Sequence, residues 1–143
     1  SVWTWSVFND TSKIGTTERK YIVDIIARPR PLVLAGYPEQ FEFDIVTRTF
    51  SLKFLADHKA GVSEIFLPEN RHYPDGFTIK VNQDLILTRD PGGPGGLRVV
   101  KCSSAIDPTA LRFDPSTQRL LILDWPFDEK NATLEITPGF IKE

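Results

Sequence analysis

Apolar and polar residues alternate along most of this chain. In Gln40–Asp44 and Thr49–Leu55 every second residue is apolar, the period of a strand with one buried face. Ile45-Val46-Thr47-Arg48 joins the two stretches. The pattern predicts a hairpin with Phe41, Phe43, Phe50, Leu52 and Phe54 turned inward. Short strands are also predicted over Ser63–Leu67, Phe77–Val81, Asp84–Leu87, Leu97–Cys102, Leu120–Leu123 and Thr133–Ile136. Turn-forming stretches such as PENRHYPDG and RDPGGPGG separate them. About eight short strands with turns at such spacing predict an antiparallel β-sandwich.

The first residues have a different texture. Val2–Phe8 is β-branched and aromatic and reads as a strand, with Trp3 and Trp5 on one face. Residues 9–17 are turn formers. A helix is predicted from about Thr17 to Ala27, because Tyr21, Ile22, Ile25 and Ile26 make one apolar stripe. Arg28-Pro29-Arg30-Pro31 ends it. The chain therefore divides into a strand–loop–helix unit, residues 1–27, and a β domain, residues 28–143. One strand and one helix cannot close a core, and a central strand needs neighbours on both edges. The expectation is that another polypeptide supplies them.

Composition narrows the function classes. The 143 residues are 41% hydrophobic and 25% charged, with a net charge of −2. That balance gives no reason to expect nucleic acid or an anionic membrane as partner. No apolar run reaches the length of a membrane span, and no secretory signal opens the chain. Methionine is absent, so Ser1 is expected to have been exposed by cleavage or trimming. The single cysteine, Cys102, cannot form an internal disulfide. It reads as a buried free thiol or as a link to another chain. Two N-x-T sequons occur, at Asn9 and Asn131. Asn131 follows Asp128-Glu129-Lys130, an exposed turn, and is the candidate glycosylation site. Asn9 has a structural or binding role instead.

Motifs for phosphate or metal are not convincing. PGGPGG lacks the lysine and the strand-to-helix setting of a phosphate loop. No pair of residues has metal-ligand spacing, and no cofactor is expected. His58 is a lone surface histidine. His72 and Tyr73 read either as a binding patch or as turn packing.

The longer motifs carry a resemblance. Arg28-Pro29-Arg30-Pro31, Ala35-Gly36, Phe41-Glu42-Phe43-Asp44 and Thr47-Arg48-Thr49-Phe50-Ser51-Leu52 resemble the junction and first hairpin of a C-terminal β-sandwich. It is that of endoglycoceramidase-type enzymes of glycoside hydrolase family 5. Ser63–Pro68 and His72–Phe77 are similar to the family's next segment. WTWSVFNDTS at the start resembles the eighth strand of the family's barrel, though its tryptophans stand two apart and not three. The resemblance implies a mainly β fold: an antiparallel β-sandwich preceded by one strand–loop–helix unit that completes a (β/α)8 barrel with another chain.

It also implies a retaining glycosidase acting on glycosylceramide or a related glycolipid. Two glutamates serve such an enzyme, about 5–5.5 Å apart. In the family they lie on barrel strands that precede this sequence. None of Glu18, Glu39, Glu42, Glu64, Glu69, Glu129, Glu135 or Glu143 matches them, so this chain alone is expected to be inactive. The implied partner is a larger N-terminal chain of the same enzyme, in a secreted or lysosome-like setting, with peripheral contact to membrane. Trp5, with Trp3, is the candidate sugar platform, since an aromatic face suits the C–H side of a pyranose at the end of a barrel strand. Barrel packing is the plainer reading of Trp5. Asn9 and Asp10 either bond sugar hydroxyls or cap a turn. An independent sugar- or lipid-binding sandwich is the alternative function.

Overall fold

The computed structural model describes residues 2–4, 27–57, 59–92 and 96–142, with backbone only for 2–4. Ten strands form one curled antiparallel sheet. They are β1 (Val2–Thr4), β2 (Arg30–Asp44), β3 (Thr49–Ala56), β4 (Ser63–Phe66), β5 (Phe77–Val81), β6 (Leu85–Arg89), β7 (Arg98–Cys102), β8 (Leu111–Asp114), β9 (Arg119–Ile122) and β10 (Asn131–Pro138). A short helix α1 (Glu69–His72) follows β4, and a 3-10 turn (Pro108–Ala110) precedes β8. The order is β7-β6-β5-β10-β3-β2-β4-β9-β8, with β1 beside β2.

The sheet doubles over because β2 serves both halves. Its early residues, Arg30–Val33, pair with β4, and Gly36–Asp44 pair with β3. The change of partner falls at Gly36, whose φ is +148. A Cβ there would stand 1.9 Å from the Leu55 carbonyl oxygen. Only glycine reconciles that backbone with that approach. A second irregularity between Pro38 and Gln40 absorbs the remaining bend.

The folded-over halves enclose one core. Leu34, Phe50, Phe54, Ile65, Phe77, Ile79, Leu85 and Leu120 are fully or almost fully buried. β10 alternates exposed and buried residues from Asn131 to Ile136, as a half-buried strand must. Aromatic edges join the halves: Phe77 meets Phe113 at 5.2 Å and Phe54 meets Trp125 at 5.7 Å, both T-shaped. Short turns set the registers, three residues long between the paired Val81 and Leu85 and four between Asp44 and Thr49. Asn82 and Gln83 both have positive φ, at 47 and 61, and Asp84 N–H donates to the Val81 carbonyl. These two successive left-handed residues reverse the chain between β5 and β6.

The sandwich expected from the sequence is present, with differences in detail. β2 begins ten residues earlier than the alternation suggests, because its first part is buried on the β4 side and shows no alternation. β8 was not foreseen. Phe50, Leu52 and Phe54 are buried as expected, while Phe41 and Phe43 are half-buried at the core's edge. The opening stretch was expected to find no neighbour in this chain. Its described part does: Val2–Thr4 runs antiparallel to Val33–Ala35 of β2. The rest of that stretch lies outside the described residues, as does the helix expected from Thr17 to Ala27 except for Ala27 itself, which is in a turn.

Replacing Gly36 by alanine combines an unfavourable φ with a backbone clash. The variant is expected to lose about 2–4 kcal/mol of stability in urea unfolding. A loss within about 0.5 kcal/mol would show that the crossover does not need glycine.

Candidate functional site

The segment that carries the most internal chemistry is PENRHYPDGF, from Pro68 to Phe77. Pro74 cannot continue a helix, so α1 stops after one turn. Its His72 and Tyr73 amides donate to the Pro68 and Glu69 carbonyls. Gly76 then turns the chain at φ +88, where a Cβ would meet the Arg89 carbonyl oxygen at 2.2 Å.

Three side chains of this segment are fixed from below. Glu69 is buried and takes a two-point ion pair from Arg89, with Nε to Oε2 at 2.6 Å and Nη2 to Oε1 at 3.4 Å. The Arg89 guanidinium lies 5.3 Å from the centre of the Phe113 ring, a cation–π placement. Tyr73 is wholly buried, and its hydroxyl donates to the Arg48 carbonyl at 2.9 Å. Burial pushes its phenol well above the usual tyrosine range, and the Arg48 cation opposes this only weakly. It stays a neutral donor at physiological pH. His72 is also buried, edge-on to Phe43 at 4.9 Å.

His72 and Arg48 tie this segment to two others. The His72 Nε2 stands 2.9 Å from the Ala27 carbonyl oxygen. A carbonyl only accepts, so Nε2 carries the proton. Arg48 Nη1 donates to the His72 carbonyl at 3.3 Å. The tip of the β2–β3 hairpin, α1 and the chain entering at Ala27 thus meet at one joint. The hairpin tip beside it exposes Ile45 and Val46, the latter 87% exposed. The arrangement fixes Ala27 against α1. It holds no nucleophile with an adjacent base.

His72 and Tyr73 are therefore packing groups, the plainer of the two readings for them. Sequence reasoning gave no role to Arg48 or Arg89. A lone arginine closing the apolar run Leu85–Arg89 was the available signal. Two of the glutamates named earlier are engaged by arginines, and two lie beyond the described residues. Glu64 bonds Arg119 at 2.9 Å on the surface, Glu69 is spent on Arg89, and Glu18 and Glu143 lie outside the described residues.

The other candidates are placed as follows. Trp5, Asn9, Asp10 and His58 lie outside the described residues. Trp3 is described in backbone only, opposite Leu34. Asn131 is exposed at the first position of β10. Cys102 is a free thiol, half-buried, with Sγ donating to the Ser103 and Ile106 carbonyls. Among the described residues there is no cluster of three metal-ligating side chains. Nor is there a helix long and apolar enough to cross a membrane.

A shallow concavity of about 580 Å³ lies on the outer face of β3, β10, β5 and β6. Register builds its middle row: Ser51 faces Glu135, Glu135 faces Lys80, and Lys80 faces Ile86. Charges of both signs alternate there, as on an ordinary solvated sheet face.

Comparison with known proteins places this architecture. The glycoside hydrolase family 5 C-terminal domain matches residues 28–137. An endoglycoceramidase of Hydra vulgaris is 30% identical over 81 residues, covering 55% of this chain and 14% of that protein. Endo-glycoceramidase II from Rhodococcus sp., solved in a five-membered iminocyclitol complex, superposes with a TM-score of 0.50 at 20% identity. That superposition covers 82% of this chain and 20% of the other. The same enzyme in its ganglioside GM3 complex gives 0.50 at 20% identity, over 83% and 20%. At such identity the superpositions show the fold. The chain spans about a seventh of the curated relative's length.

Removing Arg89 would leave Glu69 buried without its cation. Arg89→Ala is expected to cost about 3–5 kcal/mol by chemical denaturation. The double variant Glu69→Leu/Arg89→Met should cost much less, since it removes both charges. A single-variant loss below about 1 kcal/mol would mean the pair behaves as a solvated one.

Proposed function

This chain belongs to the glycoside hydrolase family 5 C-terminal domain family, and from that premise we propose that it is the non-catalytic sandwich of a retaining glycosidase. The enzyme hydrolyses the glycosidic bond of glycosylceramide or a related glycolipid. Its acid/base and nucleophile are two glutamates on a (β/α)8 barrel outside residues 28–143. The barrel polypeptide is either continuous with this one or a separate, tightly held chain. The working setting is secreted or lumenal, and the substrate brings the enzyme to a membrane surface.

The single observation behind this reading is the family match across the β domain. The joint gives it a physical form. Ala27, held by His72, immediately precedes the matched β domain. A barrel ending there would sit against the hairpin tip, whose Ile45 and Val46 are exposed. Burying such side chains against a partner contributes about 25 cal/mol per Å² of apolar area. The sandwich then supplies rigidity and orientation, while the barrel supplies chemistry.

One observation favours the other reading, a self-contained sugar- or lipid-binding sandwich. β1 pairs within the chain, on β2, and a barrel strand would pair in parallel with barrel neighbours instead. The two readings part on activity. The isolated chain is expected to leave fluorescent glucosylceramide intact, and the enzyme containing the barrel is expected to turn it over. Turnover by the isolated chain would overturn the assignment of the carboxylates. Failure of the barrel-containing enzyme on every glycolipid would overturn the substrate.

In that enzyme Trp5 is proposed as a sugar platform. Trp5→Ala is expected to lower kcat/KM by an amount equivalent to about 1–3 kcal/mol, if the ring's contribution resembles aromatic–base stacking. Unchanged kinetics with a lower Tm would make Trp5 a packing residue.

A further inference from the structure

We propose that Asn131 carries an N-linked glycan whose first sugars lie on the outer face of the sheet, over Leu55 and Tyr37.

The sequence supplies the acceptor, Asn131-Ala132-Thr133. The fold turns it outward. Along β10, Ala132 and Leu134 are buried while Asn131, Thr133 and Glu135 are exposed. The backbone of the motif is also held still. Asn82 Nδ2 donates to the Asn131 carbonyl at 3.1 Å, and Asn82 Oδ1 accepts from the Thr133 amide at 2.8 Å. The Asn131 side chain therefore leaves the sheet in a set direction, next to the β5–β6 turn.

Register shows what lies beside it. Asn131 is directly opposite Leu55, and Leu55 is directly opposite Tyr37. Residues facing each other across antiparallel strands point to the same side of the sheet. Tyr37, Leu55 and Asn131 therefore form one row across β2, β3 and β10. Leu55 lies between the buried Phe54 and Ala56 and is itself only half-covered. Tyr37 is 58% exposed. A half-covered leucine followed by an open phenol is an apolar step on this face. The next row in the same direction, Lys53 and Thr133, is polar.

A pyranose has one face of C–H groups and a rim of hydroxyls. Seated on Leu55 and Tyr37, it would place C–H groups on the leucine and the ring, and hydroxyls towards water and Lys53. Strand spacing is about 4.8 Å, so the row from Asn131 to Tyr37 is about two strand widths, a distance that the first sugars of a chain can span. The occupant is already tethered at one end of the row, so it needs no separate binding partner. Phe, Tyr and Trp are suited to such contacts because they present large apolar area with few rotors to freeze. The glycan would leave the hairpin tip uncovered, since Tyr37 and Leu55 lie at the other end of the β2–β3 pairing from Asp44 and Thr49.

The test is to secrete the protein from a eukaryotic host and map its glycopeptides. Asn131 is expected to be occupied. Enzymatic removal of the glycan should lower the Tm by about 2–4 °C, and Asn131→Gln should reproduce that loss. In Tyr37→Ala, removing the glycan should change the Tm much less, while Tyr37→Phe should retain the full effect. An unmodified Asn131 in secreted protein would overturn the proposal. So would occupancy with an unchanged Tm on glycan removal, or a loss in Tyr37→Ala as large as in the parent.

Discussion

Everything in this fold depends on one strand being shared. β2 pairs with β4 through its first residues and with β3 through its last, and the exchange is made where Gly36 lies against the Leu55 carbonyl. Were β2 to end at that point, the sheet would fall into two pieces with open edges. Because it continues, the β4-β9-β8 half and the β3-β10-β5-β6-β7 half are folded over one core. The T-shaped contacts of Phe77 with Phe113 and Phe54 with Trp125 follow from that closure.

The second constraint is the joint beneath α1. Four residues of helix are too few to be stable alone. They persist because Glu69 is clamped by Arg89, Tyr73 is anchored on Arg48, and His72 is wedged against Phe43. The same helix holds the incoming chain at Ala27. The stability of the helix and the hold on Ala27 are therefore vested in the same side chains: Glu69, His72 and Tyr73 are buried, while Asn70, Arg71, Pro74 and Asp75 face outward.

Much of this was legible in the sequence. Strands that bury one face announced themselves by alternation, as in Phe50, Leu52 and Phe54 or in Leu134 and Ile136. The first half of β2 did not, because Pro31–Gly36 is packed against neighbours on more than one side. β8 was missed because Leu111–Asp114 is only four residues long and follows a proline-led turn. The ion pair of Glu69 and Arg89 could not be foreseen, since twenty residues and a hairpin separate its members. Family resemblance supplied the functional context, which periodicity alone cannot reach. The sugar-site residues Trp5, Asn9 and Asp10 rest on that resemblance alone.

The proposed function requires this sandwich to work beside a catalytic barrel. Native mass spectrometry of the enzyme isolated from its source, with glucosylceramide turnover assayed on the same sample, can decide it. These residues should travel with further polypeptide large enough for a barrel, and activity should follow that species. A folded species of 16.2 kDa alone, hydrolysing the glycolipid, would contradict it.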